Sequence, residues 1–226
     1  MTSVIIFAAG HATRMKSDVP KVLHLVGGVS MIKRIVNTVE QIKPDRIVVV
    51  VSPSNIDAIK EELKEYDISY AIQNRQCGTG HAVLSSKSYW LDRNLILNGD
   101  SPFVPLELLK SMMSCTSDLA IVAHMVNKAN QNGRIIKQGD HAVAIVEARD
   151  CTPEQYAIRL VNCGIYFVKK YLLEKLSDLK PNNSQNEYYL TDLVAINGRA
   201  DIYQTSNEIV NVNTHDDLIH ANMIVS

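Results

Sequence analysis

The 226-residue sequence predicts an α/β fold built on a doubly wound sheet of mixed, mostly parallel strands, and three observations carry that prediction. Residues 4–8 and 46–51 are apolar runs rich in branched side chains, the pattern of strands buried on both faces. Between them Met31, Ile35, Val39 and Ile42 recur at helical spacing. The alternation of strand-like and helix-like segments then continues through the first half, as parallel strands joined by crossover helices require.

Taken in order, residues 4–8 form the first strand, and Ser30 is a helix N-cap ahead of the first apolar stripe, with Pro44 beyond its end. Residues 46–51 make the second strand. Ile56, Ile59, Leu63 and Tyr66 give a second helical stripe, residues 69–73 an extended run, 79–89 a helix and 94–98 the next strand. From about Asp118 the rhythm changes to extended runs at 119–125, 134–137, 142–146 and 160–168, separated mainly by polar turns. These strands are expected to extend the sheet and roof its cleft. Thr214, with Asp216, Asp217 and Leu218 after it, reads as the capped start of a closing helix.

Composition narrows the function classes. With 46% hydrophobic and 21% charged residues the chain buries a sizeable core, as one elaborated domain or two small ones. No linker rich in Pro, Gly or Ser divides it, so residues 1–226 are read as one domain. Twenty-three Lys and Arg against 24 Asp and Glu leave a net charge of -1, without the basic excess of nucleic-acid binders. The longest apolar stretches, 4–9 and 47–51, fall far short of the ~20 residues of a bilayer-spanning helix. No basic segment precedes the first apolar run, and Cys77, Cys115, Cys151 and Cys163 include no close pair. Reduced thiols, a cytoplasmic location and neither nucleic-acid nor membrane partners are the expectation.

In an open α/β sheet, ligands bind at the carboxyl ends of the strands. After the first strand comes Ala8-Ala9-Gly10-His11-Ala12-Thr13-Arg14-Met15, followed by Pro20-Lys21. Small residues let backbone N–H groups approach a phosphate, and Arg14 and Lys21 would neutralise it; the alternative is a tight turn with two solvated cations. Gln73, five residues before Gly78-Thr79-Gly80, carries an amide suited to a pyrimidine edge, although an amide that can flip does not separate uracil from cytosine. Asp100 places a carboxylate at a strand exit, where it serves a hard cation or merely forms a turn. Glu147, beside Arg149 and Asp150, reads by itself as a solvated residue.

The first loop resembles the opening motif of sugar-1-phosphate nucleotidyltransferases, and Ser17-Asp18-Val19-Pro20-Lys21-Val22-Leu23-His24 resembles one branch of them. That branch is the N-acetylglucosamine-1-phosphate uridyltransferase domain of bifunctional enzymes that make UDP-N-acetylglucosamine. The resemblance continues in family order through Gly78-Thr79-Gly80-His81-Ala82, Gly99-Asp100, Gly133-Arg134-Ile135, Val146-Glu147, Asn162-Cys163-Gly164-Ile165, Glu187-Tyr188-Tyr189-Leu190-Thr191-Asp192 and Val212-Asn213.

This resemblance implies a Rossmann-like sheet of the nucleotide-diphospho-sugar transferase type, with a nucleotide-binding half at about 1–117 and a sugar-binding half at about 118–226. It implies transfer of UMP from UTP to N-acetylglucosamine 1-phosphate with Mg2+. Ala8, Ala9, Gly10, Arg14, Lys21, Gln73, Gly78 and Thr79 would bind the nucleotide, and Arg14 and Lys21 would be catalytic. Gly133, Glu147 and Asn162 would bind the sugar, and Asp100 and Asn213 the metal. Tyr188, Tyr189 and Thr191 are read as packing at the cleft wall, and no His or Cys is given a catalytic role.

The sequence departs from the family pattern at Ala12, where a second glycine is usual, at His11, and at Cys163, where many relatives have threonine. It also stops at Ser226, without the left-handed β-helix of the bifunctional relatives, so acetyl transfer and trimerisation through that helix are expected to be absent. Two other readings stand beside the main one: a nucleotidyltransferase for glucose 1-phosphate or another nucleotide, and a weakly active or noncatalytic nucleotide-sugar-binding protein, motivated by Ala12.

Overall fold

The computed structural model describes residues 1–10, 13–15, 17–128, 130–181 and 183–225. The first half lays down strand β1 (Thr2–Phe7), a two-residue hairpin of β2 (Leu25–Val26) and β3 (Val29–Ser30), helix α1 (Met31–Glu40), β4 (Arg46–Val51), α2 (Ile56–Glu62), β5 (Ser69–Ile72), α3 (Thr79–Ser85), β6 (Arg93–Asn98) and α4 (Leu106–Met113). The second half adds β7 (Leu119–Met125), β8 (Arg134–Gln138), β9 (His141–Val146), the short α5 (Pro153–Tyr156), β10 (Leu160–Lys169), α6 (Lys170–Glu174), α7 (Asp192–Asn197), β11 (Asp201–Thr205) and α8 (His215–Ile224).

The sheet order is β11-β7-β10-β6-β1-β4-β5, with β8 and β9 as a hairpin joined to β10. Strand β10 runs antiparallel to both β6 and β7, whereas the other strands along that path share one direction. The expected mixed, mostly parallel sheet is therefore observed. The expected helix over 79–89 is shorter: α3 ends at Ser85, where Ser86 folds back through its hydroxyl onto the Val83 carbonyl, and a separate turn spans Lys87–Tyr89.

Strand periodicity explains the two cores. Val4, Ile6, Val49 and Leu95 point to one face, against Ile32, Ile35, Val36 and Val39 of α1 and Leu109 and Met112 of α4. Ile5, Val48, Val50 and Ile96 point to the other, against Val83, Leu172, Leu173, Leu193 and Val194. Each fully buried aliphatic side chain contributes about 1.5–3 kcal/mol, which is why both faces of the central strands are apolar. The Ser30 hydroxyl caps α1 by accepting from Lys33 N (3.2 Å) and donates to Glu62 (2.7 Å).

The chain passes from β1 outward to β4 and β5, then returns to place β6 on the other side of β1. This reversal leaves a crevice beyond the carboxyl ends of β1 and β6. The strand exits are held close, since Gly99 N donates to Phe7 O (2.8 Å) and a Cβ on Gly99 would overlap that carbonyl. Strand β10 carries a register shift against β7 between Asn162 and Tyr166, with Gly164 at φ +74°. Before the shift Val161 pairs with Arg134 of β8; after it residues 166–169 pair with β6. No described helix is long and apolar enough to cross a membrane.

Candidate functional site

The crevice at the switch point is a cleft of about 490 Å³, and Ala8, Ala9, Gly10, Arg14, Lys21, Gln73, Gly78, Thr79, Asp100, Gly133, Glu147, Asn162 and Asn213 all line it. Residues spread over the whole sequence thus meet at one place. His11 and Ala12 lie outside the described residues.

The β1 exit is tied down from two directions. Asn55 donates to Ala8 O (2.8 Å) while its own oxygen accepts from Ser52 N (2.9 Å), and the Gln76 amide donates to Ala9 O. Gly78 sits at φ +98°, with the position of a Cβ only 2.5 Å from Tyr188 O. That close approach lets Gly80 N donate to Tyr188 O (2.7 Å), Tyr188 N to Cys77 O (2.8 Å) and Leu190 N to the Thr79 hydroxyl (3.0 Å). The glycine turn thereby ties the start of α3 to the 187–191 segment.

Next to this turn the Gln73 side chain is buried apart from its cleft edge. Its Nε2 donates to Gly78 O (3.2 Å) and contacts His81 Nδ1 at 3.1 Å.

At the centre Lys21 Nζ lies 2.5 Å from Asp100 Oδ2 and 3.2 Å from Asn213 Oδ1, and Arg14 Nη2 donates to the same Asn213 oxygen at 2.9 Å. Local chemistry brings these groups together. Val212 N donates to Asp100 O (2.9 Å), and Ser101 Oγ donates to Asn211 Oδ1 (2.5 Å). Asp217 Oδ2 accepts from both Asn213 N (2.9 Å) and Thr214 N (2.8 Å), while Thr214 caps α8 as its sequence indicates. Asp100 Oδ1 is buried with no hydrogen-bond partner among the described residues. A carboxylate oxygen left over beside an amide oxygen fits a hard divalent cation, which needs few protein oxygens when phosphates complete its shell. No group of three or more His, Cys, Asp or Glu side chains suited to a metal occurs among the described residues.

The far wall comes from β8, β9 and β10. Asn162 N donates to Gly133 O (2.8 Å), its Nδ2 donates to the Tyr166 hydroxyl (2.5 Å), and its Oδ1 accepts from Gly164 N (3.1 Å). Glu147 accepts from the Thr191 hydroxyl at 3.3 Å. Burial pushes the Glu147 carboxyl above its ordinary range, with Thr191 and Arg149 opposing that shift. Thr191, read from sequence as packing, thus orients a carboxylate. The Tyr189 hydroxyl is buried at the cleft wall without a partner among the described residues, and burial raises its pKa to about 12.

Behind Gly133, Arg134 is fully buried. Its guanidinium donates to the carbonyls of Asn130 (2.7 Å), Asn132 and Tyr156 (3.3 Å), and stacks 4.4 Å from the centre of the Tyr156 ring. All four cysteines are free, and burial lifts the Cys163 thiol to about 12.

Sequence reading missed Gln76, Asn98, Asn132 and Asn211, which also line the cleft. All four lie within two residues of a matched motif, Gln76 before Gly78, Asn98 before Gly99-Asp100, Asn132 before Gly133 and Asn211 before Val212-Asn213, and that adjacency was the available signal.

Residues 4–180 match the family pattern of the MobA-like NTP transferase domain. Bifunctional GlmU proteins of Francisella tularensis subsp. novicida strain U112 and subsp. tularensis strain WY96-3418 are each 40% identical to this chain over 197 residues, covering 85% of it and 43% of their own length. The chain therefore spans less than half of these relatives. Among solved structures, a Bacillus anthracis protein described as a glucose-1-phosphate thymidylyltransferase superposes with a TM-score of 0.85 at 19% identity, over 99% of this chain and 95% of that one. That likeness establishes the fold.

Proposed function

The chain belongs to the MobA-like NTP transferase family, and from that premise we infer that it transfers UMP from UTP to N-acetylglucosamine 1-phosphate, giving UDP-N-acetylglucosamine and pyrophosphate. The observation that carries this reading is the convergence of Arg14, Lys21, Asp100 and Asn213 between the Gln73 end of the cleft and its Glu147–Asn162 wall. The 40% identity to the bifunctional GlmU proteins favours the uracil nucleotide and the N-acetylated sugar over other pairs.

On this reading the nucleotide occupies the half formed by about 1–117 and the sugar phosphate the half formed by about 118–226. A phosphate oxygen of the sugar attacks the α-phosphorus of UTP in line, the bond from that phosphorus to its bridging oxygen breaks, and pyrophosphate leaves on the opposite side. No covalent enzyme intermediate is needed, so positioning and charge neutralisation supply the catalysis. Arg14 binds the departing pyrophosphate and Lys21 the phosphates at the reaction centre. Both cations turn from Asn213 and Asp100 toward the substrate's denser negative charge. Glu147 accepts from a sugar hydroxyl, while Asn162, whose amide is oriented by Tyr166 and Gly164 N, offers its remaining donor and acceptor. Magnesium held by Asp100 and Asn213 would neutralise phosphate charge as the two polyanions meet.

The test is pyrophosphate release with magnesium, crossing UTP, CTP, dTTP, ATP and GTP with N-acetylglucosamine 1-phosphate and glucose 1-phosphate. Turnover confined to UTP with the N-acetylated sugar, and lost in Asp100→Ala, is expected. Preference for another pair would overturn the substrate and keep the reaction class. A folded protein that binds UDP-N-acetylglucosamine yet turns over no pair would be a binding protein instead.

A further inference from the structure

The Gln73 amide is held in one orientation. Gly78 O, a backbone carbonyl, can only accept, so the amide atom 3.2 Å from it must be the nitrogen. That nitrogen also lies 3.1 Å from His81 Nδ1, which accepts its second hydrogen when the imidazole carries its proton on Nε2. Both amide hydrogens are thereby used, and nothing among the described residues donates to Gln73 Oε1. The side chain, 5% exposed, borders the cleft, and its remaining function there is that of an acceptor.

The geometry points to His81 as the residue that sets pyrimidine choice: by holding the Gln73 amide nitrogen away from the cleft, it presents Oε1 to a base with an N3–H, uracil or thymine, and rejects cytosine. The inference rests on the proposed binding of the nucleotide base at Gln73. The chemistry is a matched or mismatched pair. Uracil N3–H donates to Oε1, whereas cytosine N3 is itself an acceptor and would set two lone pairs against each other. A flipped amide would suit cytosine, but it would turn Oε1 against Gly78 O, and His81 would have to move its proton to Nδ1 to meet it. Gly78 O alone gives one long bond; His81 in its Nε2–H tautomer adds a second, and a flip would cost both that bond and the tautomer. His81 does not touch the base in this arrangement and acts as a positioning residue. Its partial exposure and tilted contact with Tyr188, 6.4 Å between ring centres, place it outside the apolar cores.

Calorimetric binding of UTP, dTTP, CTP and N3-methyl-UTP to the wild-type chain, His81→Leu and His81→Asn tests this without requiring turnover. The wild type is expected to bind UTP and dTTP at least about tenfold more tightly than CTP and N3-methyl-UTP, since a missing or mismatched hydrogen bond in a built site costs that much. His81→Leu should bring UTP and CTP within about threefold of each other, and His81→Asn, whose Oδ1 replaces the Nδ1 acceptor, should restore the preference. If His81→Leu weakens both nucleotides alike, His81 is a packing residue and the inference is overturned. A wild type with no preference between UTP and CTP overturns it directly. A clear preference for dTTP over UTP, with N3-methylation still harmful, would overturn the uridyltransferase reading and leave the role of His81 standing. Binding of no nucleotide would overturn both.

Discussion

The Lys21 ammonium sits 2.5 Å from Asp100 Oδ2, an ion pair closed across 79 residues of sequence, with both side chains less than one-fifth exposed. In Lys21→Met the Asp100 carboxylate keeps its burial and loses its cation. On the proposed reaction the expected result is a fall in kcat/KM of roughly 10²–10³, because a charge that would face the reacting phosphates is gone. The thermal midpoint should also drop, by about 2–4 °C per kcal/mol lost. Added magnesium should narrow the gap in midpoint between variant and wild type, since a divalent cation held beside Asp100 would replace the missing ammonium. Scanning calorimetry with and without magnesium, alongside the pyrophosphate assay, measures both effects.

Glu147 separates stability from function. Burial raises its carboxyl pKa in the folded protein, so the native state binds more protons than the unfolded chain between the unfolded and folded values. Stability contributed by this residue therefore falls as pH rises through that window, and above it the full cost of a buried charge is present. Glu147→Gln should be more stable than wild type at pH 8, with the difference shrinking toward pH 4, while its KM for the sugar phosphate rises. Urea denaturation at the two pH values and steady-state kinetics are the measurements.

Arg134 holds the loop that carries Gly133 by donating to three carbonyls from a fully buried position. Arg134→Met keeps the length and apolar stem but leaves those carbonyls without a donor, at about 1–3 kcal/mol each where water does not reach them. A loss of about 3 kcal/mol or more is expected in urea unfolding. A drop in sugar-phosphate affinity larger than any drop in UTP affinity should accompany it.

Gly78→Ala meets two obstacles, a backbone at φ +98° and a carbonyl 2.5 Å from the new methyl. Tyr188 O must retreat, which breaks its bond from Gly80 N. Stability should fall by about 1–3 kcal/mol and the KM for UTP should rise with little change for the sugar phosphate. Gly10, where no atom of the described residues other than its chain neighbours lies within 4 Å of an added Cβ, is the control: Gly10→Ala should leave stability within about 0.5 kcal/mol of wild type.

The central sheet was legible because its strands are buried on both faces and therefore written in unbroken branched residues, as in Ile47–Val48–Val49–Val50–Val51. Helices α1 and α8 were legible through Ser30 and Thr214, whose hydroxyls act as the caps their positions indicate. Strand β11 was not, since Asp201-Ile-Tyr-Gln-Thr lies at a sheet edge with no fully buried side chain and so has no apolar run. The β2–β3 hairpin has two residues per strand, too few for any periodicity. At the cleft, the motif residues are those whose type is dictated by chemistry. The orienting groups around them depend on geometry that spacing along a chain does not encode: tertiary proximity for Thr191 on Glu147 and His81 on Gln73, and the irregular step within β10 for Tyr166 on Asn162.

The register shift in β10 has a consequence for how such a protein diversifies. One edge of this strand is shared out at Gly164: ahead of it Val161 pairs with Arg134 of β8, and beyond it residues 166–169 pair with β6, while β7 lines the other edge on both sides of the shift. The irregular step separates these two pairings, so the β8–β9 hairpin joins the sheet through the first part of β10 alone. Insertions, deletions or grafts in that hairpin would reshape the far wall of the cleft while β1, β4 and β6 keep their pairing. On the proposed reaction, recombination at this joint would be a route to new acceptor preference on an unchanged nucleotide floor.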